Sequence, residues 1–188
     1  MSMWFLKSDT VESWCWNGAF SPEECKKIIE IGDKLGTEKA VIDKNTLNEK
    51  VRKSDVCFLP ANDDTKWIFE RCCYVVNLVN DKYFNYDLLA IKEIQYTVYE
   101  EGGFYGKHVD TMYESFGTRK LSFSIQLSDP ADYEGGDLWL HYKEDPVVAK
   151  KDQGVMTAFH SQTLHEVRPV TKGRRVALVG WVIGPRFK

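Results

Sequence analysis

From about Ala90 onward the chain breaks into short alternating or apolar runs, with Gly102-Gly103, Asp129-Pro130, Gly135-Gly136 and Lys172-Gly173 between them. Such runs are too short for core helices, and their β-branched and aromatic residues suit half-buried pleated surfaces. The pattern predicts antiparallel strands near 91–99, 104–109, 119–127, 137–142, 155–159, 163–170 and 175–183, with one more if the stretch at Val147 pairs. Seven or eight strands of this kind suit a jelly roll or a barrel.

The first half reads differently. Ser21 is placed as an N-cap, Pro22 as the first helical residue and Glu24 as the return arm of a capping box, so a helix runs to about Leu35 and stops at Gly36. A second helix starts near Asp63 and Asp64, with Trp67, Ile68, Cys72, Val75, Leu78 and Val79 recurring at three- and four-residue steps. Cys72 and Cys73 read as small hydrophobes of its buried side. Val11 to Trp16 and Val51 to Leu59 have the composition of strands. The expected fold class is α+β, mainly β. A jelly-roll or barrel core over about 90–184 is buttressed by helices and strands of about 1–89, within one domain of 188 residues.

Charge and cysteine content narrow the partners. Twenty-five Lys and Arg stand against 28 Asp and Glu, a net charge of -3 with signs mixed along the chain. No basic stripe supplies the counterion release that nucleic-acid binding needs, so no nucleic-acid partner is expected. No run of about 18 apolar residues occurs, and Trp4-Phe5-Leu6 is too short for a signal-peptide core, so no membrane association is expected. Five cysteines without a C-x-x-C spacing indicate neither a disulfide framework nor a zinc knuckle, and the expected setting is a reducing cytoplasm. A monomer or weak dimer is expected.

Chemistry enters at His108-Val109-Asp110. Two residues apart on a strand, the imidazole and the carboxylate face one way. Alone this pair is a weak signal, since so short a motif recurs by chance. His165, expected on another strand closing the site from across a barrel, would complete two His and one carboxylate. That set leaves three metal positions open, as non-haem Fe(II) oxygenases require, whereas catalytic zinc needs one. Arg175 is expected to begin the strand beside that of His165, sharing a face with Ala177, Val179 and Trp181. An inward arginine calls for an anion, and its fork suits a carboxylate, so a dicarboxylic co-substrate is indicated. Arg174 falls on the outward face.

These residues do not stand alone. Gln95 to Asp110, Arg119-Lys120-Leu121-Ser122, the run Asp129 to Leu138 with its Tyr-Glu-Gly-Gly turn, and His165 to Arg175 with Trp181 together resemble the Fe(II)/2-oxoglutarate dioxygenase superfamily. Within it the likeness is to the prolyl-4-hydroxylase-like branch and PKHD-type hydroxylases. The resemblance implies a double-stranded β-helix core in which His108, Asp110 and His165 bind iron and Arg175 grips the distal carboxylate of 2-oxoglutarate. It implies that Tyr99 bonds near the co-substrate and that Trp181 lines the pocket mouth where the substrate enters; Tyr113 and Tyr105 are further candidate substrate contacts. Where several relatives keep a hydroxyl donor to the same carboxylate, this chain departs from them with Gln126, its candidate for that second contact. Animal collagen enzymes carry Lys where this chain has Arg175.

The implied reaction is hydroxylation of an unactivated C–H bond using Fe(II), 2-oxoglutarate and O2, with ascorbate supportive and succinate and CO2 released. A prolyl residue of a peptide or protein is the first substrate expectation, and a free amino acid or small metabolite the second. A jelly-roll binding module without turnover is the alternative of a different class. The segment Thr111 to Thr118, with Met112, Tyr113 and Phe116, reads as a flap beside the metal.

Overall fold

The computed structural model describes residues 11–41, 48–114 and 117–186. After β1 (Ser13–Trp16), helix α1 (Pro22–Leu35) opens on the expected capping box: Ser21 Oγ accepts from the Glu24 N–H, and Glu24 accepts from the Ser21 N–H. Short β2 (Glu38–Lys39) and β3 (Arg52–Lys53) precede β4 (Asp55–Phe58). Helix α2 (Lys66–Val79) begins later than Asp63, because Asn62 accepts from the N–H groups of Asp64 and Thr65 and holds that stretch as a turn. One π turn, Asn80–Phe84, continues it.

The β-core follows as β5 (Ala90–Tyr99), β6 (Phe104–His108), β7 (Tyr113–Glu114), β8 (Gly117–Gln126) and β9 (Tyr133–Gly135). It continues through β10 (Leu138–Leu140), β11 (Val147–Val148), β12 (Met156–His160), β13 (His165–Val167), β14 (Val170–Gly173) and β15 (Arg175–Gly184). The major sheet runs β1-β12-β8-β15-β5-β4-β2, with β7 paired to β8; the minor sheet runs β11-β10-β13-β6-β3; β14 and β9 form a separate pair. Two antiparallel sheets face to face are the jelly roll that the strand spacing suggests.

Three expectations need correction. The stretch 51–59 is two strands, not one: β3 pairs with β6 in the minor sheet and β4 with β5 in the major sheet, the change falling at buried Ser54. The stretch 163–170 likewise splits into β13 and the start of β14. His165 therefore lies directly opposite His108 on the neighbouring strand, not across the barrel, while Arg175 reaches the cavity from the other sheet. A period of two reports which side of a strand faces inward but not which sheet the strand joins. Third, Cys72 is buried but Cys73 is exposed, as one residue turns a helix by about 100°.

The outer face of the major sheet packs on the helices. Ile94, Tyr96, Leu121, Phe123, Ile125 and Leu178 meet Cys25, Ile28, Ile68, Cys72 and Val75 in one apolar cluster. Glycine permits the closest approaches: a Cβ at Gly32 of α1 would sit 2.6 Å from the Tyr96 ring, and one at Gly180 would sit 2.2 Å from Phe123. With one face sealed by helices, the register of β5, β8 and β15 is fixed, and their other residues must point between the sheets.

Candidate metal centre and co-substrate pocket

His108 ends β6 and His165 begins β13, and their Cα atoms are register partners. His108 Nδ1 lies 2.8 Å from the Gly106 carbonyl oxygen, and His165 Nδ1 lies 2.9 Å from that of Thr163. A carbonyl can only accept, so each Nδ1 carries the proton and each Nε2 keeps its lone pair. Both Nε2 atoms turn to Asp110, at 3.7 Å for His108 and 3.5 Å for His165. Asp110 falls just after β6, where its N–H donates to the Ser161 carbonyl at 2.8 Å. The three ligand atoms lie within 4.8 Å of one another.

The electrostatics suit a cation. Asp110 Oδ2 is buried and has no hydrogen-bond partner among the described residues, a costly state for a carboxylate unless a positive group shares the site. Burial, and then the adjacent His165, hold His108 well below the ordinary imidazole range, so it stands neutral with a lone pair to give. Tyr105 stacks on His108 at 3.6 Å between centroids, and Phe159 sets its edge against His165 at 4.8 Å. Two imidazoles with Nε2 turned to one carboxylate, and an apolar wall, fit a single divalent ion with open positions.

A cavity of about 270 Å3 connects this cluster to Arg175, Tyr99 and Trp181. Arg175 is 4 % exposed, its guanidinium 5.2 Å from the Tyr99 ring centroid, and among the described residues no carboxylate pairs with it. Arg174 points the other way and pairs with Asp33 and Glu100 on the surface. Burial raises the Tyr133 phenol, and the charge of Arg175 works against that rise. Gln126 Nε2 reaches the Ser128 carbonyl at 3.5 Å and shares a small adjoining recess with Arg175. Trp181 is 9 % exposed and lies under Arg119, whose guanidinium carbon is 4.2 Å from the ring centroid. Tyr105 lines the cavity; the side chain of Tyr113, and Phe116 of the expected flap, fall outside the described residues.

Some cavity residues escaped the sequence reading. Ser124, two before Gln126 on the same side of β8, borders both the cavity and the recess. Arg52 and the Arg119–Glu93 pair also line it. Strand alternation offers Ser124 as an inward candidate; Arg119 has the parity of the helix-facing residues and reaches the cavity beyond a register shift between β8 and β15, and Arg52 has no such signal, because its two-residue strand is recognisable only once β6 is seen beside it.

A jelly roll with two histidines and one carboxylate converging at the mouth of a basic cavity defines a class of mononuclear metal site on a double-stranded β-helix. Residues 94–183 match the family model of the 2OG-Fe(II) oxygenase superfamily. A PKHD-type hydroxylase of Prochlorococcus marinus is 39% identical over 89 residues, covering 47% of this chain and 40% of that protein. One from Gloeothece citriformis is 40% identical over 94 residues, covering 49% and 43%. The chain thus matches less than half the length of these relatives. Among solved structures, a Trichoplax adhaerens prolyl hydroxylase in complex with a hypoxia inducible factor peptide fragment superposes with TM-score 0.78 at 17% identity, covering 92% of this chain and 83% of that one. A Pseudomonas putida prolyl-4-hydroxylase does so with TM-score 0.74 at 16% identity, covering 92% of each. At such identities the likeness is one of fold.

Proposed function

We propose that residues 1–188 work as one Fe(II)- and 2-oxoglutarate-dependent hydroxylase domain whose substrate is a prolyl residue of a peptide or protein. The observation that carries the reading is the convergence on one cavity of His108, Asp110, His165 and a buried Arg175 that no carboxylate pairs among the described residues. The names of the similar proteins, hydroxylases and prolyl hydroxylases, support the substrate class.

When bound, Fe(II) with 2-oxoglutarate and O2 supplies the oxidising power that converts C–H to C–OH, with succinate and CO2 as by-products. The chain's part is placement. Gly106 and Thr163 hold the Nδ1 protons, so both Nε2 lone pairs face the ion, and Asp110 adds its negative charge. Arg175 takes the distal carboxylate of 2-oxoglutarate, with Tyr99 against its guanidinium and Gln126 and Ser124 close by. Tyr105, Phe159 and Trp181 keep the reacting region apolar, which limits loss of oxidising equivalents to water. Trp181 and Tyr105 flank the substrate.

Succinate formation from 2-oxoglutarate under Fe(II) and ascorbate tests the reading. His108→Ala, Asp110→Ala and His165→Ala should each abolish it while leaving the circular-dichroism spectrum unchanged. Loss of activity at His141 or His160 with retention at His165 would overturn the ligand assignment; His141 is bonded to Glu166 and His160 to Tyr86.

A further inference from the structure

Of the three guanidinium groups that line the cavity, the proposed reaction leaves one, that of Arg52, without a counter-charge. Arg52 is 9 % exposed, and its partners are neutral: Nε donates to Ser54 Oγ at 2.8 Å and Nη2 to Gln95 Oε1 at 2.9 Å. Gln95 Oε1 also accepts from Thr97 Oγ1 at 3.2 Å, so the amide is pinned as an acceptor and braces the guanidinium. No carboxylate pairs with Arg52 among the described residues. Its guanidinium carbon stands 4.5 Å from the centroid of Tyr105, the ring that stacks on His108. Arg52 is therefore one aromatic ring away from a metal ligand, on the same cavity wall.

Charge accounting shows what is missing. Glu93 offsets Arg119 at 3.3 Å. Asp110 and the two carboxylates of 2-oxoglutarate offset a divalent ion and Arg175. The charge of Arg52 remains, and a buried cation braced only by neutral acceptors is costly unless an anion arrives. We infer that Arg52 is the anchor for a carboxylate on the primary substrate, either the free α-carboxylate of an amino acid or an acidic side chain next to the hydroxylated residue. The inference rests on the hydroxylase reading and sharpens it, because a neutral peptide segment would leave Arg52 unpaired. Arg52 would act by orientation. Tied down through Ser54 and Gln95, its fork fixes where the carboxylate sits relative to Tyr105 and the metal ligands.

Matched acid and amide probes test this without turnover. The full chain, loaded with Mn(II) and 2-oxoglutarate, is titrated by calorimetry with N-acetyl-L-proline and its primary amide, and with the blocked tripeptides Asp-Pro-Ala and Asn-Pro-Ala. The first pair reports a free α-carboxylate and the second a side-chain carboxylate. In at least one pair the acid should bind about tenfold or more tightly than its amide, as expected for a charge-assisted fork. Arg52→Gln should bring that ratio to near one, and Arg52→Lys should restore part of it. Recovery in the lysine variant separates a charge effect from a folding defect. Acid and amide binding alike in both pairs, no measurable binding by either acid, or a preference that survives in Arg52→Gln would each overturn the inference. Failure of wild-type protein to bind 2-oxoglutarate would instead sink the hydroxylase reading, because acid and amide are compared only with each other.

Discussion

Along β15, Val176, Leu178 and Val182 turn toward the helices, while Arg175, Val179 and Trp181 turn into the cavity. The same division holds on β8, where Leu121, Phe123 and Ile125 face the helices and Ser122, Ser124 and Gln126 face inward, and on β5, where Ile94, Tyr96 and Val98 oppose Gln95, Thr97 and Tyr99. The helix side is hydrocarbon packed against hydrocarbon. The inner side is buried almost as deeply but carries hydroxyls, amides and a guanidinium, which burial penalises unless they are bonded. Thr97 bonds to Gln95, and Ser122 to Ser161 at 3.0 Å, but no carboxylate pairs with buried Arg175 among the described residues. The difference teaches a division of labour: the helix-covered side supplies the stability that a polar, partly unsatisfied inner side spends. Substitutions on the two sides should therefore fail in different assays.

The largest effect should come from the helix side. Phe123 is 1 % exposed and fills the space left by Gly180. Phe123→Ala removes its ring and leaves a cavity, a change that costs about 3 to 5 kcal/mol. Urea unfolding should show that loss in full, while 2-oxoglutarate affinity, measured at low temperature where the variant is still folded, should stay within about twofold of wild type. If affinity fell in step with stability, the two sides would be one cooperative unit and the division would fail.

Arg175→Ala makes the converse test. Truncating one partner of a buried charged pair costs about 2 kcal/mol or more, about thirty-fold in affinity, so anaerobic titration of the Fe(II) protein should show a steep rise in the 2-oxoglutarate needed. Stability of the ligand-free protein should hardly fall, because Arg175 has no carboxylate partner among the described residues and its removal relieves an unpaired buried charge. A large loss of stability with unchanged affinity would mean that the guanidinium is a packing element and not a receptor.

How far the sequence reveals these two sides depends on the range of the physics involved. The capping box at Ser21, the stripe on α2 and the alternation of β5, β8 and β15 are local, and each is legible from neighbours a few residues apart. The triad and Arg175 are legible for a related reason: their residue types are rare on inward strand positions, and their order along the chain matches a known family. The sheet switch at Ser54 is not legible, because Arg52 and Asp55 belong to one apparent strand until β6 and β5 claim them separately. Arg52 was missed for that reason. So was the adjacency of His108 and His165, which follows from how the sheets assemble and not from any spacing between them. Side-chain period carries one strand's orientation; pairing partners come from long-range contacts that no short window contains.

The smallest effect expected is at Arg174, and it sharpens the comparison most finely because only one peptide bond separates it from Arg175. Its guanidinium pairs with Asp33 near the end of α1 and with Glu100 at 3.2 Å. Asp33 also accepts from the Tyr96 hydroxyl at 2.7 Å. Burial alone would raise the Asp33 carboxyl, but Arg174 and then Tyr96 more than offset it and hold it below its usual range. The pair is open to water, with side chains 35% and 45% exposed, and exposed ion pairs contribute about 0.2 to 1 kcal/mol. Arg174→Ala should thus lower the melting temperature by no more than about 4 °C for a chain of this size. The difference from wild type should shrink in high salt, where the lost attraction is screened. Affinity for 2-oxoglutarate should stay within about twofold, since the apolar contacts of Val176 and Leu178 with the helices already hold the register of β15. A loss of affinity at Arg174 as large as that at Arg175 would show otherwise: that the surface ion pair, and not the apolar side of the sheet, aims Arg175 into the cavity.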